Sequence, residues 1–291
     1  MAGSVVNSKR WLLAAGLFGW LSLGLVVSPS QAREQEPSVE KAAGEVSMAT
    51  SDGVGLFGVY SAGRTNGPGV VLLHQHGRAH DEWRFLTDSL QRAGFHVLAI
   101  DLRGHGKSVT RGESSLELSD FKITDYAAMQ QDVVAAVAWL RAQGEVDGDR
   151  VAIIGSSLGA NLALVYAASD PRVRQVAMLS PGLDYKGVGT EEAIQTYGDR
   201  PLFMAVSRED NYSAKSVLVL DATSTSASKE LRIFTGAGHG TKMLAREPAL
   251  ETALLTWLNE PISQSVPVGG PPTLNTRETA PDVGVTKLSP D

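Results

Sequence analysis

RVAIIGSSLGANLALVYAAS, Arg150 to Ser169, is the stretch whose reading decides the fold. Residues 151–154 are a short apolar run rich in β-branched side chains, which suits a strand buried on both faces. The run passes without a break into Gly155-Ser156-Ser157-Leu158-Gly159 and then into the small, helix-forming residues 160–168. A strand, a glycine-flanked serine and a helix in that order predict a tight strand-to-helix turn with Ser157 at its apex. The glycines two before and two after Ser157 are expected where the turn leaves no room for side chains. The backbone N–H of Leu158 is expected to face the same space, at a helix N-terminus. A bare G-x-S-x-G pattern arises easily by chance in a chain with 30 glycines, so the flanking strand and helix carry the reading.

Working outward, residues 45–50 and 55–62 read as two strands joined by the hairpin signal Ser51-Asp52-Gly53. Residues 70–73, Val-Val-Leu-Leu, are a buried-strand run ending at His74-Gln75-His76-Gly77, with a helix expected over 81–93. Residues 95–102 form the next strand, followed by the glycine-punctuated loop Asp101-Leu102-Arg103-Gly104-His105-Gly106-Lys107-Ser108. One long helix is expected over 125–143, with Met129, Val133, Val137 and Leu140 inward and Gln130, Gln131, Asp132 and Arg141 outward. After the serine turn come strands at 173–179, 202–206 and 231–234, and helices at 213–220 and 249–258. The fold class expected is α/β: a mostly parallel central sheet flanked by helices, opened by an antiparallel hairpin. Such sheets bind ligands at the carboxyl ends of their strands. Ser157, Asp210 and His239 all follow strand ends, so they share that edge.

A serine hydroxyl is a poor nucleophile until a base takes its proton, and the base needs an orienting acid. Of the six histidines, His239 lies in a glycine-flanked loop after the last strand, where its ring can reach over Ser157. Asp210 directly follows a strand and falls between serine and histidine in chain order; Asp184, after the 173–179 strand, is the alternative acid. Asp101 is expected to tie down its own Arg-Gly-His-Gly turn. The oxyanion formed by such a serine needs two backbone donors: Leu158 N–H, and His76 N–H or its neighbour Gln75.

On these motifs the chain resembles the α/β-hydrolase-fold serine hydrolases, of esterase or lipase type with a small lid, over roughly residues 46–258. His74-Gln75-His76-Gly77 stands where that family has a histidine-glycine oxyanion loop, with Gln75 in place of glycine. The loop 101–108, the turn 155–159 and Gly236-Ala237-Gly238-His239 match the family's corresponding stretches. The resemblance implies cleavage of a carboxylic ester or related acyl bond through an acyl-enzyme on Ser157, with no metal and no organic cofactor. A small-molecule acyl substrate is the expected partner. Two alternatives stand beside it: a metal-dependent hydrolase using the His74/His76 pair, with His80-Asp81 nearby, and a non-catalytic binding protein on the same fold. The connection 180–198 is too short for a large helical lid, so an open site is expected.

The envelope is consistent with one large core: 291 residues, 43% of them hydrophobic. A net charge of −6 with no basic cluster beyond Lys9-Arg10 argues against a nucleic-acid surface. Without cysteine there is no thiolate nucleophile, thiolate metal site or disulfide. Lys9-Arg10, the apolar run 11–27 and Ser28-Pro29-Ser30-Gln31-Ala32 have the parts of a signal peptide, 1–32, cut after Ala32. The alternative is an uncleaved N-terminal membrane anchor, and either places the folded part outside the cytoplasm, periplasmic or secreted. Residues 33–44 read as a flexible lead-in, 45–258 as the hydrolase-like domain, and 259–291 as a Pro-rich disordered tail holding six of the thirteen prolines.

Overall fold

A computed structural model of the protein describes residues 44–260. The expected signal peptide, nearly all of the lead-in and the Pro-rich segment after residue 260 lie outside the described residues. The N-terminal hairpin is β1 (Gly44–Ala49) and β2 (Val54–Ser61), paired antiparallel. Then follow β3 (Gly67–Leu73), α1 (Arg84–Arg92) entered through a 3-10 turn at His80–Trp83, and β4 (His96–Ile100). A small hairpin, β5 (Thr110–Arg111) and β6 (Ser114–Ser115), leads to α2 (Ile123–Ala128) and α3 (Gln130–Arg141). The centre is β7 (Val146–Ser156), α4 (Leu158–Ser169) and β8 (Val173–Leu179). A second small hairpin, β9 (Asp184–Tyr185) and β10 (Val188–Gly189), precedes α5 (Glu191–Thr196) and β11 (Leu202–Ser207). The chain continues with α6 (Asn211–Thr223), β12 (Lys229–Phe234), α7 (Lys242–Arg246) and α8 (Pro248–Asn259).

The main sheet runs β12-β11-β8-β7-β3-β4-β2-β5-β6, with β1 on β2. From β12 to β4 every pairing is parallel; those of β2 with β1, β4 and β5 are antiparallel. Alternation along the central strands feeds two cores. Val71, Leu73, Val151 and Ile153 pack beneath α3, α4 and α6, whereas Val70, Leu72, Ala152 and Ile154 meet Trp83, α1 and α8. With both faces covered, the parallel strands lose the polar alternation of a half-exposed sheet. Strand order reverses between β3 and β7, because β4 lies on one side of β3 and the later strands on the other. At such a reversal α/β sheets bind their ligands beyond the carboxyl ends of the strands, and here those ends carry the His74 loop and Ser157. Among the described residues, no helix is long and apolar enough to cross a membrane.

The single helix expected over 125–143 is two, divided at Met129 (φ −61°, ψ −15°). Asp132, expected outward, is fully buried. It accepts the Arg103 backbone N–H (2.9 Å) and Nε–H (2.8 Å). The same guanidinium donates to Asp52 (2.7 Å), which its hydrogen bond holds down at about 2, and so fastens the β1–β2 hairpin to α3. Periodicity counted a charged side chain as outward because its buried partner lies 29 residues away.

Candidate active site

Ser157 joins β7 to α4 with φ 54° and ψ −115°, a conformation L-residues rarely adopt. Its N–H donates to the Leu179 carbonyl (2.8 Å), and its own carbonyl accepts the N–H groups of Ala160 and Asn161. The flanking glycines are there for close approach. A Cβ on Gly155 would lie 2.1 Å from the Gly159 carbonyl oxygen, and one on Gly159 2.2 Å from that of Leu73. Helix α4 therefore sits directly on β7 and β3. The Leu158 amide opens that helix, where no acceptor exists one turn earlier.

Asp210 caps α6 immediately after β11, and its Oδ2 lies 2.6 Å from His239 Nδ1. Burial pushes this carboxyl upward, but hydrogen bonds from His239, Ser213 and Ser180 outweigh it and hold Asp210 below the usual range. Glu209 points away, as a neighbouring side chain should. It accepts the Ser207 hydroxyl and the Gly236 N–H, each at 2.7 Å, and staples the acid's loop to the histidine's. Ser180, at φ 52°, adds a second staple, its Oγ accepting the Gly240 N–H at 2.9 Å. Gly240 in turn lies so close to the serine turn that a Cβ would come within 2.3 Å of Ser156 Oγ and Gln75 Oε1.

Ser157 and His239 share Tyr185 as a neighbour. Its hydroxyl meets Ser213 Oγ (2.8 Å), burial raises it against the pull of the Ser213 and Ser157 hydroxyls, and its ring stands edge-on to His239 with centroids 6.3 Å apart. Among the described residues no hydrogen bond joins Ser157 to His239 directly. The structure thus brings Asp210 onto His239, and His239 and Ser157 onto a shared neighbour. Such contacts commonly close only around substrate.

The loop after β3 is braced from two sides. His74 is fully buried; its Nδ1–H donates to the Gln75 carbonyl (2.8 Å) and its Nε2 accepts the Leu102 N–H (2.9 Å). Burial, then the nearby His105, lowers His74 to about 3, so the ring is a neutral strut between β3 and β4. Glu82 accepts the Gln75 N–H (2.8 Å) and the Thr241 hydroxyl (3.1 Å), linking this loop to the one bearing His239. Burial raises Glu82 to about 7 against the pull of those two donors. With the Gln75 amide committed to Glu82, the His76 amide is the one of the two that donates to no protein group among the described residues.

The other candidates have different employment. Asp184 is exposed and accepts the Gly187 N–H (2.8 Å) at the β9–β10 turn. Asp101 accepts the Lys107 and His80 N–H groups and so holds its own turn, as expected. Both His74 ring nitrogens are engaged within the protein, and His76 Nε2 lies 3.1 Å from the Tyr126 hydroxyl. The pair offers no joint metal-binding face, and among the described residues no group of three or more His, Cys, Asp or Glu is arranged to hold a metal ion. Tyr185, Ser180 and Glu82 were not singled out from the sequence. Tyr185 and Ser180 lie in the connection 180–198, and nothing local marks Glu82 as a partner of residues 75 and 241.

Residues 68–240 match the model of the alpha/beta hydrolase fold family. An uncharacterized protein of Mycobacterium tuberculosis is 32% identical over 173 residues, 59% of this chain and 55% of its own length. A thiohydrolase of Aspergillus aculeatus is 29% identical over 49% of this chain and 42% of its own. A putative carboxymethylenebutenolidase of Methylorubrum extorquens is 25% identical over 60% and 61%. The chain thus spans about half the length of these relatives. Among solved structures, an esterase of Pyrococcus furiosus superposes with TM-score 0.63 at 19% identity, covering 75% of this chain and 89% of that one. The dienelactone hydrolase of Anabaena variabilis gives TM-score 0.59 at 24% identity, with 75% and 94% covered. At these identities the two structures speak for the fold.

Proposed function

Because the chain belongs to the α/β hydrolase family, we propose that it is a serine hydrolase acting on a carboxylic ester or related acyl bond. The observation that carries the reading is the 2.6 Å Asp210–His239 hydrogen bond at the same sheet edge as the strained Ser157 turn. In the proposed cycle His239 Nε2 takes the Ser157 proton as Oγ attacks the acyl carbon. The Leu158 and His76 N–H groups receive the developing oxyanion, and Asp210 fixes Nδ1–H so that Nε2 is the basic nitrogen. The imidazolium returns its proton to the leaving alcohol or thiol. Water, deprotonated by the same ring, then cleaves the acyl-enzyme and regenerates the Ser157 hydroxyl. The names of the thiohydrolase and carboxymethylenebutenolidase relatives support acyl C–S and C–O bonds as the class.

A fluorophosphonate probe tests this, since only an activated serine reacts. Labelling of the wild-type chain at Ser157, absent in Ser157→Ala, is expected, together with esterase activity indifferent to chelators. Unlabelled Ser157 in folded protein removes the reading. Export through residues 1–32 is part of the proposal, and N-terminal sequencing of protein recovered outside the cytoplasm should begin at Arg33.

A further inference from the structure

A cavity of about 870 Å³ is lined by His76 of the loop after β3, by residues of the 118–126 segment and by Lys186. Its floor is apolar and aromatic: Leu118 and Phe121 come from the segment before α2, and Tyr126 from α2 itself. Phe121 and Tyr126 pack edge-to-face at 5.7 Å. His76 lines its inner end, and its Nε2 meets the Tyr126 hydroxyl at 3.1 Å. The cavity therefore begins at the residue whose amide is the candidate oxyanion donor.

Two cations guard the outer wall, Lys122 and Lys186, and no carboxylate is among the lining residues. Lysine ion pairs among the described residues are Lys107–Glu45 and Lys229–Asp221, and the neighbouring carboxylates Asp125 and Asp184 accept the backbone N–H groups of Lys122 and Gly187 rather than the ammonium groups. Lys186 and Gly187 form the two-residue tip of the β9–β10 hairpin, with φ 59° and 84°. Both central residues at positive φ define a type I′ turn, in which lysine is an unfavoured choice. The tip is pressed onto the opposite wall, where a Cβ on Gly187 would lie 2.4 Å from Ile123. Lys186 Nζ stands 5.7 Å from the Tyr126 ring centroid, and Lys186 follows directly on Tyr185, whose ring faces His239. Its charge is felt inside, because His76 is lowered first by burial and then by Lys186.

We propose that this cavity selects substrates carrying a second, ionised acid group, separated by an apolar spacer from the bond that Ser157 cleaves. The spacer lies over Phe121 and Tyr126, and the anion is met by Lys122 and Lys186. The inference rests on the serine-hydrolase reading and names its substrate class. An exposed ammonium pair is weak in water, but above an apolar wall its attraction for a single anion is strengthened.

The test compares matched esters with the full chain. Mono(4-nitrophenyl) glutarate is set against 4-nitrophenyl pentanoate, which puts the charge on the acid side. Acetylated 4-hydroxybenzoate is set against its methyl ester, which puts it on the alcohol side. In at least one pair kcat/KM should favour the anion by on the order of tenfold, mainly through KM, and the preference should shrink as salt rises. Lys122→Met with Lys186→Met should lower kcat/KM for the anionic ester far more than for its neutral partner. Equal rates in both pairs, no turnover of either anionic ester, or a preference indifferent to salt and to both substitutions overturns the inference. Labelling of Ser157 by fluorophosphonate judges the underlying reading separately, since that probe carries no second acid group.

Discussion

His239 Nδ1 lies 2.6 Å from Asp210 Oδ2, and the loops bearing the two residues are joined again by Glu209 and Ser180. The acid–base pair is thus held by three independent connections, so its geometry does not depend on the pair's own hydrogen bond. Replacing Asp210 by Asn should therefore leave the fold nearly untouched while favouring the wrong histidine tautomer. Turnover is expected to fall by about 10²–10⁴ with KM little changed. A drop in melting temperature of comparable severity would show that Asp210 matters mainly to structure.

Ser157 carries backbone strain on the order of 1–3 kcal/mol at φ 54°. Both Ser157→Ala and Ser157→Gly should abolish turnover, but only glycine relaxes the turn. The glycine variant is expected to melt at least as high as the alanine variant, the reverse of the order at an ordinary buried site. Calorimetry on the two decides it.

Glu82 sits at about 7, above the ordinary carboxylate value of 4.5 from which burial lifts it. The folded state therefore binds this proton more tightly than the unfolded chain. The sign follows: the stabilisation is complete below pH 4.5 and is lost as pH rises through about 7. Glu82→Gln removes that dependence while keeping an acceptor for the Gln75 N–H. From pH 5 to pH 8 the wild type should lose about 2 kcal/mol relative to the variant, several degrees in melting temperature. Parallel stability–pH profiles would refute this role.

Gly159→Ala pushes a methyl group against the Leu73 carbonyl, a backbone atom that cannot rotate away. Because α4 must lift off β3 to accept it, the cost should reach about 3 kcal/mol or more. A soluble Gly159→Ala protein with unchanged melting temperature would mean that the helix has room to spare.

The architecture was legible where local pattern and tertiary demand agree. Val70–Leu73 and Val151–Ile154 are apolar on both faces, and in the sheet both faces are covered. The serine turn could be read because Gly155 and Gly159 answer contacts confined to a few neighbouring elements. What escaped depends on distant partners. Asp132 reads as an exposed charge until Arg103 is placed beside it, and Glu82 gains meaning only from residues 75 and 241. Tyr185 sits in a six-residue hairpin of two-residue strands, too short for any periodicity to register.

The Lys186-Gly187 tip leans on Ile123 without a hydrogen bond from Glu209, Ser180 or Glu82, the three clamps that lock the loops around His239. Apart from Tyr185 and Tyr126, which touch both, the recognition wall consequently stands clear of the reaction machinery. Sequence drift at residues 118–122 and 186–187 can retune what enters without dismantling what reacts, which makes that rim the place to engineer a new appetite.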